Sequence, residues 1–385
     1  MMDDLAPRSE SRRQTRGVAR TRPTPERPTV KPEKETTFVR VRNRRLQTLV
    51  KNFELVSLVA YMHATGATNS GILKAVKKKF PRADIKREDP NWIIRWAAER
   101  KWFRFYPPRE NEYRQLILDL HALDAIEVIR SSQVDIIAIE AARMLLRMLR
   151  SLGQGQEIVH VGVAGGHTIR ALMRALAREI GDPFKSMPKV VHFHALAAGF
   201  NPDDPSTNPN AFVTFFDDKF IPTKIRFTGL SAPAIVENDT FERLKKNFVD
   251  IREAFGAMKL LDIVVTSGST WHECGALYGR LKPSDRQILE AQGVLGDLLW
   301  RPISKRGPIE AETDRAFTLL ELNQLQRLVR RGKRVLVALA PCGLCGQLKG
   351  ELLEAILENK LANHVVVDAR SAGQMIGPMS PDDRR

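Results

Sequence analysis

The chain has 385 residues, 43% of them hydrophobic, with 61 basic and 45 acidic side chains and only three cysteines. That length allows two or three domains with a sizeable core. The absence of any apolar run of about 18 residues excludes a membrane-spanning helix, and three cysteines exclude a disulfide framework. The opening MMDDLAPRSESRRQTR has no apolar stretch and does not read as a secretory signal. The expectation is a cytoplasmic, reduced protein.

Charge is unevenly spread. Residues 1–110 hold 26 basic and 12 acidic side chains, a net of +14 out of +16. The remaining 275 residues hold 35 basic and 33 acidic ones. Concentrated positive charge attracts phosphate backbones without reading sequence.

Residues 1–43 are rich in Arg, Pro, Thr and Glu and poor in large apolar side chains. Such a segment cannot offset its ordering entropy and reads as a disordered basic tail. Residues 44–108 read as a small helical domain. Leu46, Leu49, Val50, Phe53, Val56 and Val59 recur at helical spacing. Thr65–Thr68 reads as a turn, with Thr68 or Asn69 capping a helix over residues 70–80 that Pro81 stops. Asp89-Pro90 starts another helix. The alternation of Lys101–Tyr106 suits a wing or edge strand. The order is that of a winged helix-turn-helix module. Lys86, Arg87, Asn91 and Arg95 gather at the start of its second helix, where side chains reach base edges, and are the candidate DNA contacts.

Residues 109–152 show a nearly continuous helical pattern, through Leu116–Val128 and again through Ile136–Leu149, and read as a helical linker or dimer seam. From residue 157 the rhythm becomes strand, loop, helix. Apolar runs fall at 158–163, 190–196, 225–227, 261–266, 335–340 and 364–367. Helical patterns fall at 168–180, 241–258 and 346–361. This predicts a mostly parallel, doubly wound α/β sheet as the effector and oligomerisation domain, residues 109–385. Such sheets bind ligands beyond the carboxyl ends of their strands.

After the first of these strands comes Gly162-Val163-Ala164-Gly165-Gly166-His167-Thr168, opening a helix. Small residues let a backbone approach an anion, and a helix start offers free N–H groups. Thr168 can cap the helix or donate to a phosphate. The loop is not a Walker A motif, because no Gly-Lys-Ser/Thr follows.

The stretch from Trp102 to Ile376 resembles the SorC-type family of sugar-binding transcriptional regulators. The matching segments fall in order: Trp102–Pro108, His160–Thr168, Ala197-Ala198-Gly199, Thr207–Ala211, Ser231–Val236, Leu261–Gly268, Gly293–Asp297 as a turn, Lys349, and Asn363–Asp368 with Ala372. The resemblance implies a regulator that binds operator DNA as a homodimer or homotetramer and responds to a sugar or sugar phosphate. Its effector domain would be similar to the sugar-phosphate isomerase and deaminase fold. By the match, Gly165, Gly166, His167 and Thr168 would hold a phosphate. Asp297 would meet sugar hydroxyls, and Lys349 would pair with a phosphate. The family's glycine-rich turn before the lysine is replaced here by Ala340-Pro341-Cys342-Gly343-Leu344-Cys345-Gly346.

Two further clusters have alternative readings. Cys342-x-x-Cys345 and His272-x-Cys274 follow two strands of one parallel sheet, so both loops leave the same edge. They can complete a tetrahedral zinc set or form a redox pair. HxC is an unusual zinc spacing, so the expectation is small buried residues with no metal and no cofactor. His192 and His194 share a strand face near His160 and His167, and read as structural rather than metal-binding. Two other functions compete with a regulator. One is a sugar-phosphate isomerase- or deaminase-like enzyme, with Asp262, Glu273 or Asp297 as base. The other is a DNA-binding protein whose sheet domain only oligomerises.

Overall fold

The computed structural model describes residues 44–64, 67–99, 108–180, 187–199, 204–216 and 223–377. The chain divides into two compact units, Met1–Phe105 and Tyr106–Arg385. The expected tail at 1–43 and wing at 101–106 lie outside the described residues. Among those residues, no helix is long and apolar enough to cross a membrane.

The first unit contains α1 (Arg44–Lys51), α2 (Phe53–Ala64), α3 (Asn69–Lys79) and α4 (Asp89–Glu99). Leu49, Val56, Val59, Ile72, Val76 and Ile93 meet in its core, as their helical spacing requires. The Thr68 hydroxyl caps α3 by accepting the Gly71 N–H at 3.2 Å. Asp89 opens α4. Its carboxylate accepts the Lys86 N–H at 2.6 Å and both terminal nitrogens of Arg45, one of them at 2.9 Å. Burial alone would raise this carboxyl, yet the Arg45 hydrogen bonds hold it below its ordinary range. One acid thus ties α1 to the start of α4. Lys86, Arg87 and Asn91 are exposed there. Arg95 lies on α4, and its side chain is outside the described set.

The second unit is built on seven parallel strands: β1 (Ala125–Ile129), β2 (Ile158–Val163), β3 (Val190–Ala195), β4 (Lys224–Thr228), β5 (Ile263–Thr266), β6 (Arg334–Leu339) and β7 (His364–Asp368). Their order across the sheet is β1-β7-β6-β5-β2-β3-β4. Strand order therefore reverses between β2 and β5, which pair through Val161–Val163 and Ile263–Val265. Helices α5 (Asn111–Leu120), α6 (Val134–Gly153), α7 (His167–Glu179), α8 (Asn238–Asn247), α9 (Val249–Ala257), α10 (Pro283–Ala291), α11 (Leu322–Arg330), α12 (Gly350–Glu358) and α13 (Ala369–Ile376) connect and cover it.

Alternation along the strands separates two cores. Val159, Val161, Val163, Val191 and Phe193 pack with α6 and α7 on one face. Val335, Val337, Val365 and Val367 pack with α5, α11, α12 and α13 on the other. The sheet is thus doubly wound, as expected.

The structure corrects several local expectations. Residues 125–129 are an edge strand rather than helix, pairing in parallel with β7 from Ala125↔His364 to Ile129↔Asp368. The segment 109–152 is therefore part of the sheet domain and not a helical linker. The helix expected over 241–258 breaks at Phe248, whose ψ of 121° is extended, so that it ends α8 and begins α9. Residues 294–298 form a strand, not a turn. It belongs to a small antiparallel sheet with 268–270, 301–304 and 307–308.

Candidate effector site at the sheet's switch point

The loop after β2 is shaped by close approach. A Cβ on Gly165 would lie 2.6 Å from the Trp300 ring and 2.8 Å from the Thr207 carbonyl oxygen. Gly166 adopts φ +107°, which side chains rarely tolerate, and its N–H donates to Thr207 O at 2.9 Å. Gly166, not Thr168, occupies the cap position of α7. Thr168 is buried in the first turn. The first N–H groups of α7 have no intrahelical acceptor, and they point where an anion is favoured. Beside them His167 is exposed, with Nδ1 3.7 Å from Asp204 Oδ2. Arg170 Nη1 donates to the same oxygen at 3.1 Å. The Ser206 hydroxyl and Arg170 keep the Asp204 carboxyl below its ordinary range.

The loop after β5 brings in the opposite wall. Ser269 faces Asp297 across the small sheet, and its hydroxyl donates to Asp297 Oδ2. Gly268 is required here, since its Cβ would stand 2.6 Å from Asp297 O. Asp297 is buried, and burial pushes its carboxyl up to about 6 despite Ser269, the Lys349 charge and the Trp300 N–H. Lys349 is buried too, and burial lowers its ammonium. Lys349 Nζ donates to Gly268 O at 2.7 Å. Asp297 and Lys349 thus share one floor. The turn that follows Asp297 carries two non-glycine residues at positive φ, Leu299 at 56° and Trp300 at 54°. Such a turn normally uses Asn or Gly, so the strain is spent on placing the Trp300 ring under Gly165.

These walls enclose a cavity of about 440 Å³ between the loops after β2, β5 and β6. Gly165, Gly166, His167, Thr168, Asp297 and Lys349 all line it, and so do His272, Cys274, Cys342 and Cys345. The six residues implied for the effector and the four sulfur and imidazole groups therefore converge on one site. It lies where strand order reverses, the place at which doubly wound sheets take ligands. A larger cavity of about 600 Å³ lies beside Phe241. Its Arg301 and Arg315 are already engaged by Glu321, Arg301 at 2.9 Å. Sequence reasoning missed Ser269, Arg170 and Asp204. A serine two residues past a strand end carries no signal of its own, and the Asp204–Arg170 pair forms only through the fold.

The histidines divide differently from the expectation. His160, His192 and His194 come together on β2 and β3, with ring centroids 4.2–5.3 Å apart, while His167 lies at the cavity. His160 Nδ1 and His194 Nε2 share a hydrogen bond of 2.9 Å. Burial and the two neighbouring rings lower His194 to about 4.

A parallel sheet with an anion-ready glycine loop at its switch point defines an α/β effector-binding domain. The family model described as "Putative sugar-binding domain" matches residues 109–377. The chain belongs to this family, the sugar-binding domain of the SorC-type transcriptional regulators. Similar solved structures include the full-length sorbitol operon regulator SorC from Klebsiella pneumoniae, with 15% identity, a TM-score of 0.56, and coverage of 85% of this chain and 99% of that one. A DeoR family transcriptional regulator from Listeria monocytogenes has 22% identity, a TM-score of 0.53, and coverage of 69% and 98%. A transcriptional regulator from Streptococcus pneumoniae has 17% identity, a TM-score of 0.54, and coverage of 69% and 96%. At these identities the likeness establishes the fold. No curated protein matches the sequence.

Proposed function

We propose that the chain is a DNA-binding transcriptional regulator whose effector is a sugar phosphate held at the switch point. The observation that carries this reading is the convergence of the α7 N-terminus, the Asp297 carboxyl and Lys349 on one cavity. The phosphate takes the free N–H groups of His167 and Thr168 and the hydroxyl of Thr168, which lines the cavity, with the His167 ring beside it. Asp297, when ionised, accepts hydrogen bonds from sugar hydroxyls. Lys349 is already bonded to Gly268 O, so its role is to hold Asp297 charged and placed rather than to grip the phosphate. Effector binding then biases the assembly of a dimer or tetramer and with it the spacing of paired helical modules on two half-sites.

DNA contact falls to Lys86, Arg87, Asn91 and Arg95. Replacing Lys86 or Arg87 by Ala should lower the slope of log affinity against log salt by about 1 each. The test is a DNA-binding titration of the full chain with and without a panel of sugar phosphates. A sugar phosphate that shifts DNA affinity by about fivefold or more supports the reading.

An enzyme of the same fold has one observation in its favour, since a carboxyl near 6 suits proton transfer. Product formed from a sugar phosphate by the purified chain, lost in Asp297→Asn, would favour that function over regulation.

A further inference from the structure

The chain's three cysteines meet one of its histidines at the mouth of the cavity. β5 and β6 are neighbours in parallel register, Arg334↔Ile263 to Val337↔Thr266, so the loops that follow them leave one sheet edge side by side. The ligand atoms of His272, Cys274 and Cys345 all lie within 4.8 Å of one another. Cys342 lies outside that set of three, three residues before Cys345 in the same loop, and lines the same cavity, so it is the candidate fourth group. All three sulfurs are free thiols.

The Cys342–Cys345 loop is a tight turn that holds both sulfurs on one short segment. The loop closes through Gly346 N–H donating to Cys342 O at 2.8 Å, with Gly346 at φ +73°. His272 Nδ1 accepts only a 3.3 Å bond from the Cys274 N–H, which leaves the imidazole free to reorient. Three thiolates and one imidazole are the ligand set of a tetrahedral zinc site.

We propose that His272, Cys274, Cys342 and Cys345 bind one thiophilic divalent cation, of zinc chemistry, at the rim of the effector cavity. Binding is ligand exchange without redox change. Each ligating thiol gives its proton to solvent, His272 donates a neutral nitrogen, and the ion sheds water. The ion ties the β5 loop to the β6 loop, and both loops are walls of the cavity. The unusual HxC spacing is no obstacle, because His272 and Cys274 supply half of a set that the second loop completes. The site does not depend on what fills the cavity.

The test uses the full chain, reduced with a non-thiol reductant, stripped of metal and titrated with cobalt(II) alone. The expected result is a thiolate-to-cobalt charge-transfer band with the visible bands of tetrahedral cobalt, saturating at one equivalent per chain and bleached by zinc. Cys345→Ser and Cys274→Ser should each weaken cobalt binding by about tenfold or more. Cys345 is exposed, so its serine variant keeps the fold, and circular dichroism checks this. His192→Asn, in the strand cluster, should leave the band unchanged. A band that survives both cysteine variants overturns the proposal. So does a reduced chain that binds no cobalt yet forms a Cys342–Cys345 disulfide in air, which would make the loop a redox pair.

Discussion

Two polar clusters sit on the same sheet, and their surroundings sort them. The His160–His192–His194 stack lies within strands β2 and β3, bonded to itself and to the Thr228 hydroxyl at 2.8 Å. Burial disfavours charge on His192 and His194. The Ser269–Asp297–Lys349 group lies just past the strand ends, with Asp297 and Lys349 buried, and lines a cavity. Asp297 and Lys349 influence each other's charge, while Lys349 Nζ bonds Gly268 O rather than the carboxylate. A buried cluster that suppresses its charge serves the fold. One that lines a cavity just past the strand ends suits a polar ligand.

The largest expected effect breaks the second cluster. Lys349→Met leaves the Asp297 carboxylate buried without its cation and should cost about 3–5 kcal/mol in denaturant unfolding. Adding Asp297→Asn should recover part of that loss, because the two sites are coupled.

The histidine stack should reveal itself by pH. His194 titrates at about 4 when folded, against an ordinary 6.5, so the unfolded chain binds more protons between those values. Stability must therefore fall as pH drops from 6.5 to 4, by about 3 kcal/mol at most for this residue. His194→Phe should flatten that acid limb in unfolding curves and change stability by under about 1 kcal/mol at neutral pH. The His194 Nδ1 is buried without a hydrogen-bond partner among the described residues, so removal forfeits only the bond between its Nε2 and His160 Nδ1.

Gly165→Ala sharpens the contrast from the ligand side. The new methyl group meets Trp300 and the Thr207 backbone, and should cost about 1–3 kcal/mol. It should also weaken effector binding in calorimetry, because the loop must open. The smallest effect is a pH dependence of binding. In the proposed site the Asp297 carboxyl accepts sugar hydroxyls most strongly when ionised, so affinity should fall as pH drops below about 6. That inflection should vanish in Asp297→Asn.

Six of the seven strands were legible because β-branched runs end at loops of small residues. β1 was not. Its Ala-Ile-Glu-Val-Ile follows a leucine-rich helix directly, and Glu127 looks like a polar helix position until Arg109, 3.0 Å away, engages it. The break at Phe248 carries no glycine or proline, so periodicity ran through it. The glycine loop, Asp297 and Lys349 were readable as motif positions, but their convergence was not. Ser269 and the strained Leu299-Trp300 turn carry no residue-type signal. The two cysteine loops were readable as a pair because a parallel sheet sends both from one edge. The approach of His272 and Cys274 to Cys345 appears only in three dimensions.

The most direct measurement is the melting temperature of the full chain across sugars and their phosphates, beside Thr168→Val. A sugar phosphate at about a hundred times its dissociation constant should stabilise the chain by about 2.7 kcal/mol. The unphosphorylated sugar should do far less, and Thr168→Val should reduce the shift. A melting temperature unmoved by every sugar phosphate, or moved equally in Thr168→Val and by the free sugar, would contradict a phosphate site at the glycine loop.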